Sequence, residues 1–105
     1  MSISQSLGTC SGDNGTKTST LSITNGDSAT RYFKVEYSID GGSYTTVNAN
    51  FSLAASTTDN STFTQSVAQG STITWRVTGS DTSGDFTGLT ASTVTRSTVD
   101  CPQPP

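Results

Sequence analysis

Nearly every apolar stretch of this sequence alternates with a period of two, which confines the chain to β-strands. Phe33, Val35, Tyr37 and Ile39 share one face of an extended segment, opposite Tyr32, Lys34, Glu36 and Ser38. Ile73, Trp75 and Val77 alternate in the same way with Thr72, Thr74, Arg76 and Thr78. Leu21 and Ile23 oppose Thr20, Ser22 and Thr24, while Val47, Ala49, Phe51 and Leu53 oppose Asn48, Asn50 and Ser52. Successive side chains of a strand point to opposite faces, so each run reads as a strand with one face in a core and one in water. No helical period of useful length competes with this pattern.

Turn-forming residues punctuate the runs at regular intervals, at 11–15, 25–27, 40–42, 58–60, 69–70 and 80–88. Gly, Asn and Asp dominate these clusters because they accept positive φ or close Asx-turns. The spacing predicts seven strands, over 2–9, 17–24, 31–39, 43–54, 61–67, 71–79 and 89–100. Ile3 and Leu7 lie in the first and Phe63 and Val67 in the fifth, with a polar Gln65 between them. In the last run Leu89 and Val94 are out of phase, which predicts a bulge. The expected core is Leu21, Ile23, Phe33, Val35, Tyr37, Val47, Phe51, Leu53, Phe63, Val67, Ile73, Trp75 and Val77.

Composition decides what such a chain can do. Only 12% of its 105 residues are charged, and 18 Ser and 21 Thr fill the gap. Thr is β-branched and suits a half-buried pleated surface, so the low hydrophobicity signals a hydroxyl-covered β-domain rather than disorder. The net charge of −3 leaves no basic surplus to neutralise phosphates, which argues against nucleic acid. No apolar run approaches the roughly 18 residues of a membrane span, so no membrane insertion is expected. His is absent, so neither a Ser/His or Cys/His catalytic pair nor a His-based metal site can be assembled. The chain therefore reads as a binding or structural module and not as an enzyme.

Two stretches resemble fibronectin type III and related bacterial immunoglobulin-like domains. Tyr32-Phe33-Lys34-Val35-Glu36-Tyr37-Ser38-Ile39-Asp40-Gly41-Gly42 is similar to that family's C strand and the hairpin after it. Val67-Ala68-Gln69-Gly70-Ser71-Thr72-Ile73-Thr74-Trp75-Arg76-Val77 is similar to its E–F turn and F strand. The usual strand-B Trp is replaced by Leu21 and Ile23, the F-strand Tyr by Ile73, and a common Pro by Gln69. The resemblance thus implies an immunoglobulin-like antiparallel β-sandwich of about seven strands in the broad sense, over residues 1–101, and no activity. Domains of this kind commonly serve as spacers and adhesive modules of exported proteins.

In such a sandwich the first and last strands run parallel, which implies that Cys10 and Cys101 meet at one pole as a disulfide. Two free thiols, or a bridge from Cys10 of one copy to Cys101 of another, are the alternatives that the sequence leaves open. An oxidised pair implies an oxidising compartment, hence a cell-surface or extracellular location. Residues 102–105, Pro-Gln-Pro-Pro, read as the start of a stiff extended linker, and Met1 as an added start ahead of an excised piece. Neighbouring copies of the same domain are the expected partners.

The remaining candidates are weaker. Asp81 and Asp85 are candidate Ca²⁺ ligands in the turn 80–88, but two carboxylates fall short of the six to eight oxygens that Ca²⁺ takes, and no cofactor is expected. Tyr32, Tyr44 and Phe86 are candidates for stacking on glycans. Asn14, Asn50 and Asn60 each start an Asn-X-Ser/Thr triplet. Glu36 and Arg76 are expected to face each other on an outer sheet surface. The sequence therefore points to a structural or adhesive β-sandwich module of a surface stalk, adhesin or filament. The alternatives are a carbohydrate-binding accessory module and a pilin-like subunit that donates its first strand.

Overall fold

The computed structural model describes residues 1–10 and 15–97. It contains β1 (Ser2–Leu7), β2 (Thr16–Thr24), β3 (Arg31–Ile39), β4 (Thr45–Leu53), β5 (Thr58–Asp59), β6 (Thr64–Ala68), β7 (Thr72–Ser80) and β8 (Ala91–Ser97), and no helix among the described residues. One sheet places β1 on one side of β2 and both β5 and β6 on the other. The second sheet has the order β4-β3-β7-β8. All pairings are antiparallel. The two sheets enclose a single core of Leu21, Ile23, Phe33, Val35, Leu53, Phe63, Val67, Ile73, Trp75 and Val77, the layering of a β-sandwich.

Four sequence expectations need correction. Val47 is 39% exposed instead of buried. From Phe33 to Glu36 is three steps on β3, but the matching span on β4, Phe51 to Thr46, is five, so β4 carries two extra residues. Each extra residue flips the inward phase, and Val47 falls between Asn48 (opposite Val35) and Thr46 (opposite Glu36) with no partner of its own. Leu89 lies in the turn before β8, 46% exposed. The β7–β8 register is continuous, so the phase break marks the strand's beginning and not a bulge. Among the described residues there are eight strands and not seven, because the two-residue β5 pairs with the end of β2 ahead of β6. Finally, Tyr37 and Phe51 are only partly buried, packing against the core from its margin.

The turns follow their residues. Gly70 sits at φ 79° in the β6–β7 turn, where the Ser71 amide donates to the Ala68 carbonyl at 3.0 Å. Asp40 adopts φ 52° after β3, and its carboxylate accepts from the Thr72 amide at 2.8 Å and the Ser71 hydroxyl at 3.1 Å. That carboxylate ties two neighbouring turns at one pole.

The first and last strands run in the same direction. At their beginnings, Met1 and the residue pair Leu89 and Thr90 line a common cavity. Further along, the Gln5 side-chain amide donates to the Val94 carbonyl at 3.0 Å, and Arg96 Nη2 donates to the Gln5 carbonyl at 3.3 Å. This parallel course brings the exposed edges of the two sheets together along one side.

Candidate functional site

The interior holds a polar chain that crosses from one sheet to the other. Trp75 Nε1 donates to Ser19 Oγ at 2.9 Å, and Ser19 Oγ donates to Gln5 Oε1. The Gln5 amide nitrogen then reaches the carbonyls of Val94 at 3.0 Å and Ile73 at 3.4 Å. Trp75, Ser19 and Gln5 are all buried, so every member depends on the others for its hydrogen bonds. The same indole packs on Tyr37 with ring centroids 5.9 Å apart. Trp75 stands opposite Tyr37 in the register, and Val77 opposite Val35.

A second buried polar group organises the N-terminal pole. Asn25 is fully buried, and its amide nitrogen serves the carbonyls of Ala29, Leu53 and Ala54, each at 3.0 Å. Its carbonyl oxygen accepts from the Asp27 amide at 3.0 Å. This one side chain joins the β2–β3 and β4–β5 loops.

On the outer face of the β4-β3-β7-β8 sheet, Glu36 and Arg76 lie opposite in the β3–β7 register and form a two-point fork, with both N–O distances 3.0 Å. The guanidinium carbon also sits 3.7 Å from the centroid of the Tyr44 ring. The hydrogen bond from Arg76 holds the Glu36 carboxyl below its ordinary value against the opposing effect of burial, helped by the charges of Arg76 and Lys34 and by the Thr46 hydroxyl. A carboxyl with a lowered folded-state pKa contributes stability above its unfolded value and loses it as pH falls through the folded value. A double-mutant cycle of Glu36→Gln and Arg76→Gln should give a salt-sensitive coupling of about 0.5–1 kcal/mol at neutral pH. That coupling should shrink as the pH drops below the ordinary carboxylate range. A coupling unaffected by acid and salt would mean that the two side chains do not interact as an ion pair.

The other candidates separate. Asp81 and Asp85 turn inward to their own loop: Asp85 Oδ1 accepts from the Thr87 amide at 3.2 Å and Asp81 Oδ1 from the Thr82 hydroxyl at 3.1 Å. The Ser80 hydroxyl closes that loop by donating to the Asp85 carbonyl at 2.6 Å while accepting from the Thr82 amide. Among the described residues no group of three or more acidic, Cys or His side chains forms a metal site. Tyr32, Tyr44 and Phe86 are each half-buried. Asn50 is engaged on both atoms of its amide, donating to the Ser83 hydroxyl and accepting from the Gly84 amide, each at 3.0 Å. Cys10 follows β1, whereas Asn14, Cys101 and the segment 102–105 lie outside the described residues.

Sequence reasoning missed Gln5, Ser19 and Asn25. For the first two a signal existed: Gln5 shares a face with Ile3 and Leu7, and Ser19 with Leu21 and Ile23. A polar residue in an inward phase needs a buried partner, and the lone Trp was the available donor. No protein-family model, curated protein or solved structure matches this chain, so its role rests on the residues and geometry set out above.

Proposed function

We propose that the chain is an immunoglobulin-like, extracellular structural or adhesive module, a repeat unit of a surface stalk, adhesin or filament. In this reading a Cys10–Cys101 disulfide clamps its two ends. The strand orders β1-β2-β5/β6 and β4-β3-β7-β8 support the immunoglobulin-like reading, since in chain order they are A-B-E against C′-C-F-G. The observation that carries the clamp is the parallel contact of β1 with β8. Gln5 lies against Val94 and Arg96. Cys10 is five residues past Gln5 (10 − 5) and Cys101 five past Arg96 (101 − 96). The two parallel strands end at Leu7 and Ser97, so the sequence carrying Cys10 and the sequence leading to Cys101 both leave the fold at the same pole. Intact mass of the purified protein should fall two hydrogens short of the reduced form, with a monomer on a non-reducing gel. A reduction-sensitive dimer would replace this with a bridge between copies.

A further inference from the structure

We infer that the cavity at the N-terminal pole receives the proline-rich segment, residues 102–105, of a second copy of this chain. The inference rests on the repeat-unit reading above and adds the contact that would set the angle between neighbours. The cavity has a volume of about 380 Å³, within the range of ligand pockets. Met1 and Leu89 supply its accessible apolar surface, the neighbouring Phe33 being only 1% exposed, and Arg31, Asp27 and Asp81 its polar rim. Among the described residues only three large apolar side chains are exposed: Met1 at 44%, Val47 at 39% and Leu89 at 46%. Leu89 lines this cavity, as does Met1, the position that the preceding copy's tail would adjoin in an array. Gly79 keeps it open, since a Cβ at that position would come within 3.2 Å of Phe33 Cε1 and 3.5 Å of Met1 Sδ.

The chemistry of the proposed occupant matches. Residues 102–105 are Pro-Gln-Pro-Pro, with no charged side chain, and the fixed φ of proline leaves such a sequence little conformational entropy to lose on entering an apolar groove. Proline offers carbonyl acceptors and no amide donor. Arg31 lies at the rim with a guanidinium that reaches Asp27 through Nε at 3.1 Å and Thr30 through Nη1 at 3.2 Å. Its Nη2 donors suit such carbonyls. Topology also fits a second copy. β8 begins beside the cavity and runs away from it, so a head-to-tail succession brings the sequence after one copy's β8 to the N-terminal pole of the next. A covalent neighbour is present at an effective concentration on the order of millimolar, so a weak contact suffices.

The test is an NMR titration of the full-length isotope-labelled protein with a synthetic peptide of residues 98–105 carrying Cys101→Ser. Amide shifts should be confined to Gly79, Ser80, Leu89, Thr90 and their neighbours, saturating with a Kd on the order of millimolar. Leu89→Ser, at an exposed position outside the strands, should weaken binding about tenfold, as expected for one lost apolar anchor. No shifts, shifts elsewhere, or equal binding of a peptide with every Pro replaced by Ala would overturn the inference. A two-copy chain separates it from the array reading. If its second copy shows the cavity shifts and Leu89→Ser in that copy removes them, the docking holds. If both copies fold and bridge internally without those shifts, the docking fails while the array stands.

Discussion

Trp75→Ala should lower the unfolding free energy by about 3–5 kcal/mol, a large share of what a domain of this size holds. Two effects add. The indole is fully buried between the sheets, so its removal leaves a cavity that the surrounding Ile73, Val77 and Leu21 cannot fill without moving their strands. Its N–H is also the donor to Ser19, which in turn supports Gln5 on β1. The two effects separate by chemistry. Trp75→Phe keeps most of the apolar volume and removes the donor, and should cost about 1–3 kcal/mol, the range for an orphaned buried hydrogen-bonding group. Ser19→Ala should cost a similar amount, because it strands both Trp75 Nε1 and Gln5 Oε1. Urea denaturation at unchanged slope reads all three variants. A loss below about 1 kcal/mol for Trp75→Ala would contradict the inward placement of the whole β7 face. Non-additivity between Ser19→Ala and Trp75→Phe is expected, since the two remove the same bond.

The inward phases of β2, β3 and β7 were legible from alternation alone because β2 pairs with β1, and β3 with β7, without interruption. Every step of β3 against β7, from Tyr32 opposite Ser80 to Ile39 opposite Ile73, advances by one. β4 was legible only at its end, where Phe51 and Leu53 keep phase with Phe33 and Arg31. Its middle was not, because a bulge is a property of a strand pair: Val47 reads as inward in its own run, but one surplus residue between Phe51 and Asn48 shifts the phase and Val47 is itself a second, which only the partner strand reveals. The short β5 was hidden in a turn cluster for a related reason. Thr58 and Asp59 look like turn residues, and Asp59 does close a turn: its carboxylate is pushed up by burial but held low by hydrogen bonds from Thr62 and Ser61. Asn25 was read as punctuation, and it is; what the sequence lacked was that the loop it punctuates folds over its amide and buries it. Glu36 and Arg76 were found because an outward ion pair needs only register, and register followed from the two cleanest runs.

Pulled from its two ends, the oxidised protein should gain well under three nanometres before it resists, at about 3.3–3.6 Å for each of nine residues that are already mostly extended, whereas the reduced protein should release nearly its whole chain. With Cys10 bonded to Cys101, force passes across the bridge and the 91 intervening steps (101 − 10) stay inside a closed loop. Residues 1–9 are the part of the fold left outside it. At about 3.3–3.6 Å per residue their full length is at most roughly 30 Å, most of which β1 already spans as an extended strand, so freeing them adds little, against roughly 300 Å for the loop once the bridge is reduced. What holds that outer segment is also specific. β1 pairs with β2 from Ser2 opposite Thr24 to Leu7 opposite Ser19, and Gln5 plugs the polar chain that ends at Trp75. Peeling β1 therefore strips one sheet edge and exposes the buried Ser19 and Trp75 donors together, so the short release should occur as one event and not as gradual fraying. Gln5→Ala should lower the force of that event and leave the length of the later, reduction-dependent release unchanged. The loop closure also restricts the unfolded chain, contributing up to about 4–5 kcal/mol in the chain-entropy account. Reduction should then lower thermal stability as well as lengthen the extension. Single-molecule pulling of a tandem chain with and without reductant measures both lengths. Full-length extension of the oxidised domains would show that no bridge closes the loop, and the clamp would have to be given up.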